Sequence, residues 1–256
     1  MIHNPVIDTL MKRKSVRKFM KEMPSEEVIE TIVTAGQQAP FAYQLGDMIL
    51  DRSTKNSFHA PLWFVICYDV HRMALIAEKR GWQIQVDDMQ LLIFGVQDAA
   101  YMAQNMVIAA ESLGLASCYV GVTPFIAPAI KKKYKLPDRV FPVVSLAIGY
   151  AQEWEEQFPP RPRYPMEFTC FEGSYPKMND DQIEHAMQQM DEGYLEQGYY
   201  RKMDAMISLK GVRKENCTYD DYSWCEHISR KCALYTDMNL LSAYQAIGFR
   251  LPPSSK

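Results

Sequence analysis

Leu62-Trp63-Phe64-Val65-Ile66-Cys67-Tyr68 is an uninterrupted apolar run rich in β-branched and aromatic side chains. A strand with one wet face alternates apolar and polar residues. A run that is apolar throughout is a strand covered by helices on both faces. Two further stretches read as strands: Ala116 to Val120, and Phe141 to Ile148, stopped by Gly149. Between and around them lie helical patterns. Pro5 to Lys12 carries a short stripe of Val6, Leu10 and Met11. Ser25 caps a second helix, with Glu26 and Glu27 in its first turn and Pro40 beyond its end. Val70 to Arg80 follows Asp69 as a third helix. Gln97 to Leu113 is a long helix, apolar on most faces through Ala99, Ala100, Ala103, Val107, Ile108, Ala109 and Ala110, and therefore buried. Thr123-Pro124 reads as an N-cap with Pro at the first helical position, opening a helix that closes in Lys131-Lys132-Lys133. Phe41 to His59 reads as a mixed loop. Strands interleaved with helices make a helix-covered sheet.

The chain has 256 residues, enough for one large domain or one domain with a substantial appendage. Its net charge of −3 creates no overall field for nucleic acid or an anionic membrane, so any anion site has to come from local clustering. No stretch of about 18 apolar residues is present to span a bilayer. The start, Met1-Ile2-His3-Asn4-Pro5, shows no apolar signal-peptide core. Cys67, Cys118, Cys170, Cys217, Cys225 and Cys232 form no Cys-x-x-Cys pair. The reading is a reduced, cytoplasmic protein without disulfides. After Gly149 the character changes. Pro159-Pro160-Arg161-Pro162-Arg163-Tyr164-Pro165 excludes helix and interior strand. From about Asn179 the chain is helical and polar, with Ile183, Met187, Met190 and Tyr194 forming a one-sided stripe. The division expected is a core domain over residues 1–168 and a helical extension over 169–256, packed on the core or on a partner subunit.

Familiar catalytic signatures are missing from the sequence. There is no Gly-x-Gly-x-x-Gly after a strand, no Gly-Lys-Ser/Thr phosphate loop and no Gly-x-Ser-x-Gly elbow. The histidines, His3, His59, His71, His185 and His227, are scattered and read as surface or satisfied residues. Asp87-Asp88 reads as a solvated turn or helix start rather than a metal pair, and Cys217, Cys225 and Cys232 are too widely spaced for zinc. No metal site and no catalytic side chain is expected. What remains is Arg13-Lys14-Ser15-Val16-Arg17-Lys18-Phe19. Four cations this close repel unless an anion sits among them, and Arg holds phosphate bidentately. Two readings fit: a solvated basic end to the first helix, or a phosphate site. Arg161 and Arg163 make a second basic segment far away in sequence.

Taken together, these segments resemble the nitroreductase family of flavin-dependent oxidoreductases. Arg13 to Phe19 is similar to its Arg-x-Ser-x-Arg-x-Phe signature. Gln38-Ala39-Pro40, Ala60-Pro61, Asp98 to Asn105, Leu113 to Gly121, Gly149-Tyr150 and Pro160-Arg161-Pro162-Arg163 follow in the family's order. The match covers about Pro5 to Pro165. The resemblance implies an α+β fold: a three-layer α/β/α sandwich around a mixed, mostly antiparallel sheet, with a helical C-terminal extension. It also implies FMN held at the interface of a homodimer, with NADH or NADPH as electron donor and a small-molecule acceptor. Carried over by position, Arg13 and Ser15 would meet the phosphate, Lys14 would stand beside them among the cofactor-binding residues, and Arg161 and Arg163 would close on the phosphate. Arg17 would reach the ribityl chain and ring edge. Pro40, Phe41, Ala42 and Gln44 would line the flavin, and Tyr119, Val120 and Gly121 would face it, the last two through backbone N–H groups. Phe41-Ala42-Tyr43-Gln44 departs from the small and polar residues usual there, and points to a flat aromatic acceptor such as a nitroaromatic, quinone or enone. A ping-pong hydride transfer follows from the family. A flavin-consuming or reductively dehalogenating branch, and a flavin carrier or sensor without turnover, fit the same motifs.

Overall fold

The computed structural model describes residues 1–153, 159–209, 217–234 and 239–250. The helices and strands over these residues are α1 (Pro5–Lys12), α2 (Glu26–Gln37), β1 (Gly46–Asp51), β2 (Leu62–Asp69), α3 (Val70–Lys79), α4 (Asp88–Ser112), β3 (Ala116–Val120), α5 (Ala127–Tyr134), β4 (Val140–Gly149), α6 (Asp180–Gln197), α7 (Tyr199–Lys202), α8 (Trp224–Leu234) and α9 (Leu240–Ala246). Two compact units result: Met1–Gln157 with Asn239–Lys256, and Phe158–Met238.

The first unit is built on a 4-stranded sheet in the order β1-β2-β4-β3. Every ladder between named strands is antiparallel, and the parallel component is the isolated bridge between Ser15 and Ser117. β2 is buried along its whole length. Successive side chains of a strand face opposite ways, and here both directions are apolar. Leu62, Phe64 and Ile66 join α4 residues Ala99, Ala103, Met106 and Ala110 and α2 residues Ile29 and Ile32. Trp63, Val65 and Cys67 join Ile130 of α5, Leu136 and Val140 on the opposite face. Each such side chain taken fully from water stabilises by about 1.5–3 kcal/mol, so this strand alone accounts for the three-layer arrangement.

Local signals set the helix ends. Asn4 accepts from the Ile7 amide, Ser25 from Val28, and Asp69 from Arg72. α4 starts earlier than the Ala-rich pattern indicates, because Asp87 caps it by accepting from the Gln90 amide. Asp88 is no solvated turn residue. It is buried, pairs with Arg139 and accepts the Arg250 amide, while its carbonyl takes the Tyr244 hydroxyl at 2.9 Å. Those contacts, with Tyr244, Ile247 and Phe249 buried around Tyr68 and Phe141, seat the segment from α9 onward within the first unit.

Three further sequence expectations change. Residues 46–51, expected in a loop, form β1. Its pattern is weak because it is an edge strand, half-buried throughout, whose register comes from pairing with β2. Thr123 does not cap α5: it opens a 3₁₀ turn over Thr123–Ile126, and its hydroxyl donates to the Val120 carbonyl at 2.8 Å. On α6 the buried face runs through Ala186, Met190 and Tyr194, leaving Ile183 and Met187 exposed. That helix carries the expected start, a capping box between Asn179 and Gln182. It packs in the second unit with Tyr200, Tyr222 and Trp224. No described helix is long and apolar enough to cross a membrane.

Candidate functional site

The basic stretch is held by its apolar members. Val16 and Phe19 are buried, at 1% and 4% exposure. The Val16 amide donates to the Ser117 carbonyl at 3.0 Å, and the Met20 amide to the Tyr150 carbonyl at 2.8 Å. Phe19 bridges Ala151, whose neighbour Gln152 donates from its side chain to the Phe19 carbonyl at 3.0 Å. The segment therefore runs extended along the free edge of β3. With Val16 turned inward, Ser15 and Arg17 fall on the alternate face. A solvated helix end is not what forms here: α1 stops at Lys12, with Arg13 as its C-cap.

The stretch lies against α4 and β3. The Tyr119 hydroxyl donates to Gln104 of α4 at 2.9 Å, and burial pushes its pKa up to about 12 against the nearby charge of Arg13. Glu111 of α4 accepts the Ser117 hydroxyl at 2.7 Å. Burial raises its carboxyl above the ordinary value, although the Ser117 hydrogen bond and the charges of Arg13 and Lys14 pull the other way. Glu111 escaped the sequence reading, because an acid near the end of an Ala-rich helix carries no local signal of the cations opposite it. Tyr119 and Val120 end β3 and Gly121 opens the following turn, where an added Cβ would meet open space. Arg13, Lys14, Ser15, Arg17, Tyr119, Val120 and Gly121 thus form one wall.

Pro40, Phe41, Ala42 and Gln44 form another, in the turn between α2 and β1, and all four are exposed. The wall is built on Asp98, which is 2% exposed and accepts the amides of Ala42, Tyr43 and Leu45. Tyr43 turns back onto α4, edge-on to Phe94 with ring centroids 5.3 Å apart, and its hydroxyl accepts from Gln90. Phe41 is left 57% exposed. Behind the turn is an open cleft of about 800 Å³ lined by Met48, Arg72, Met73, Ile76 and Met102.

The two walls stand apart in the chain. One flanks β3 and the other leads into β1, at opposite edges of the sheet. Along α4 their anchors, Glu111 and Asp98, are about 20 Å apart at 1.5 Å per residue. In the second unit, Arg161 donates to Gln197 at 3.0 Å and stacks over Tyr199 at 3.7 Å, while Arg163 donates to the carbonyls of Arg161 and Pro162. Among the described residues no His, Cys, Asp and Glu gather as a metal site.

The nitroreductase family model matches residues 10–50 and 51–150 of this chain. The chain is 29% identical over 217 residues to an FMN reductase (NADPH) of Bacillus subtilis, covering 78% of this chain and 84% of that protein. It is 30% identical over 195 residues to an NADPH-dependent oxidoreductase of Staphylococcus saprophyticus, covering 70% and 77%. Among solved structures, the NfrA1 nitroreductase of B. subtilis superposes with a TM-score of 0.78 at 26% identity, over 95% of this chain and 98% of that one.

Proposed function

This chain belongs to the nitroreductase family, and from that premise we propose that it is an FMN-dependent oxidoreductase that draws electrons from NADPH and passes them to a small aromatic acceptor. FMN, when bound, supplies the hydride chemistry; the chain supplies binding, orientation and electrostatics. The observation that carries the reading is the locked Arg13–Phe19 stretch. Val16 and Phe19 fix the backbone, so Arg13, Ser15 and Arg17 are presented as a preorganised anion-binding edge. That donor set fits a phosphate at Arg13 and Ser15 and an electron-rich ring edge at Arg17. A cation near a flavin ring favours its anionic reduced form. A relative whose name specifies FMN and NADPH aligns over 78% of this chain.

The site is shared between two copies of the chain. One protomer keeps the Arg13–Gly121 wall and the Pro40–Gln44 wall apart, and a symmetric dimer brings the first of one copy against the second of its partner. The nicotinamide and the acceptor would occupy the same space in turn, beside the Pro40–Gln44 wall. Phe41, exposed in the turn, offers the acceptor an aromatic face.

Purified protein tests this directly. Its bound flavin should bleach with NADPH in the absence of oxygen and recover its colour when a benzoquinone or a nitrobenzene is added. Flavin that stays oxidised with NADPH and NADH alike refutes the reading.

A further inference from the structure

The turn that carries Phe41 and Gln44 is gripped by opposite charges on its two sides. On one side the Asp98 carboxylate takes three amides: Ala42 at 2.7 Å, Leu45 at 2.9 Å and Tyr43 at 3.2 Å. On the other, the Arg72 guanidinium donates to the carbonyls of Gln44 and Gly46, both at 3.2 Å. Arg72 is itself aimed by Asp47 at 3.2 Å and by Asp69 at 4.0 Å. Between the two grips Gln44 adopts a φ of 55°. That left-handed conformation is unfavourable for a residue that carries a Cβ, so the surroundings have to impose it. Asp98 is also an expensive choice as mere packing. A charge almost fully buried in an Ala-rich helix is costly, and an apolar residue would fill the space at least as well. What the carboxylate does that an apolar residue does not is collect three amides of one turn.

We propose that Asp98 and Arg72 are positioning residues that set acceptor selectivity by fixing the backbone from which Phe41 and Gln44 project. The proposal rests on the flavin-enzyme reading above and deepens it. The side chain of Tyr43 is already tied to α4, so the aim of Phe41 and Gln44 depends on the turn backbone. Asp98 is buried, and Arg72 acts on the turn through the carbonyls of Gln44 and Gly46. Their loss leaves the Arg13–Phe19 wall intact and lets the aromatic face wander, which weakens acceptor binding more than it slows chemistry on a bound acceptor.

The test uses full-length wild type, Asp98→Asn, Arg72→Met and Arg72→Lys, each loaded with FMN. Flavin content, anaerobic bleaching by NADPH, and KM and kcat for a benzoquinone and a nitrobenzene are measured. Amide hydrogen exchange over residues 42–45 is followed in parallel. Asp98→Asn and Arg72→Met should keep their flavin, raise KM for acceptor about tenfold with a smaller change in kcat, and alter the quinone-to-nitrobenzene preference. Exchange at these amides should quicken, and Arg72→Lys should fall between Arg72→Met and wild type. If Asp98→Asn fails to fold, Arg72→Met decides alone, since its side chain is 43% exposed. Acceptor KM values and preference within about twofold of wild type, whatever the change in melting temperature, overturn this proposal alone. A wild-type protein whose flavin neither NADPH nor NADH bleaches overturns the functional reading, and this one with it.

Discussion

The amide of Val16 donates to the carbonyl of Ser117 at 3.0 Å, and that one bond registers the basic N-terminal stretch against the last strand of the sheet. It places Arg17 one residue beyond a fixed backbone position, with Phe19 buried two residues on.

Arg17→Ala should weaken FMN binding by about 1.5–3 kcal/mol, the range for a hydrogen bond to a charged group. Titration of apoprotein with FMN measures this. Unchanged affinity removes Arg17 from the site. Melting temperature should hardly move, because Val16 and Phe19 supply the apolar anchoring.

Gly95→Ala should destabilise the fold. Alanine favours a helix over glycine by about 1 kcal/mol, but an added Cβ at Gly95 would sit 2.5 Å from the Tyr68 ring. Tyr68 is fully buried between Phe141 and Phe249 and has nowhere to retreat. Overpacking of this kind costs about 1–3 kcal/mol, so strain outweighs propensity. Urea unfolding should show a lower midpoint with an unchanged slope; a higher midpoint refutes the packing argument.

Gly95 also marks where the sequence ran short. The stretch β2, the cap at Ser25 and the apolar face of α4 were legible because each rests on local periodicity or on a side chain bonding its own backbone. The wall of Arg13, Ser15 and Arg17 was legible as a charge cluster, although Val16 and Phe19 were needed to see that it is extended. Asp98, Glu111 and Arg72 were not legible as site-builders. Their partners lie at Ala42, Ser117 and Gln44, and pairings set by tertiary contact leave no periodic trace. β1 was missed for the same reason, since its strand character comes from β2 rather than from its own residues.

Asp51 gives a pH dependence with a definite sign. Burial alone would raise its pKa, but hydrogen bonds from Ser53, Lys133 and Tyr134 outweigh this and hold the carboxyl well below the usual carboxylate range. Lys133 Nζ lies at 2.9 Å and the Tyr134 hydroxyl at 2.7 Å, joining the end of β1 to α5. A depressed carboxyl contributes stability that is full above its unfolded value, near 4, and is lost as pH falls below it. Asp51→Asn should therefore be less stable than wild type at pH 7, and the gap should close as pH is lowered from about 4 toward 2. Thermal melts across that window check it; a gap independent of pH assigns the loss to packing rather than to charge.

The outer face of α4 carries the last prediction. Met89, Ile93 and Val96 are exposed at 42%, 51% and 36%, and Tyr101 at 45%. The first three recur at helical spacing, so they form a stripe on a helix whose other faces are buried. On α1, Val6, Leu10 and Met11 are exposed as well. Apolar surface of this extent on two helices is what a second copy of the chain would cover. It would do so while bringing one copy's Arg13–Gly121 wall to its partner's Pro40–Gln44 wall, which a single protomer holds about 20 Å apart along α4. Ile93→Glu with Val96→Glu places charge in that stripe, and surface changes of this type cost a protomer within about 0.5 kcal/mol. Light scattering at micromolar protein should show a dimer for wild type and a monomer for the double variant. The monomer should retain its far-ultraviolet dichroism yet release its flavin, because half of the site has departed. A double variant that stays dimeric moves the interface to another face. A wild type that is monomeric with flavin fully bound removes the shared site altogether.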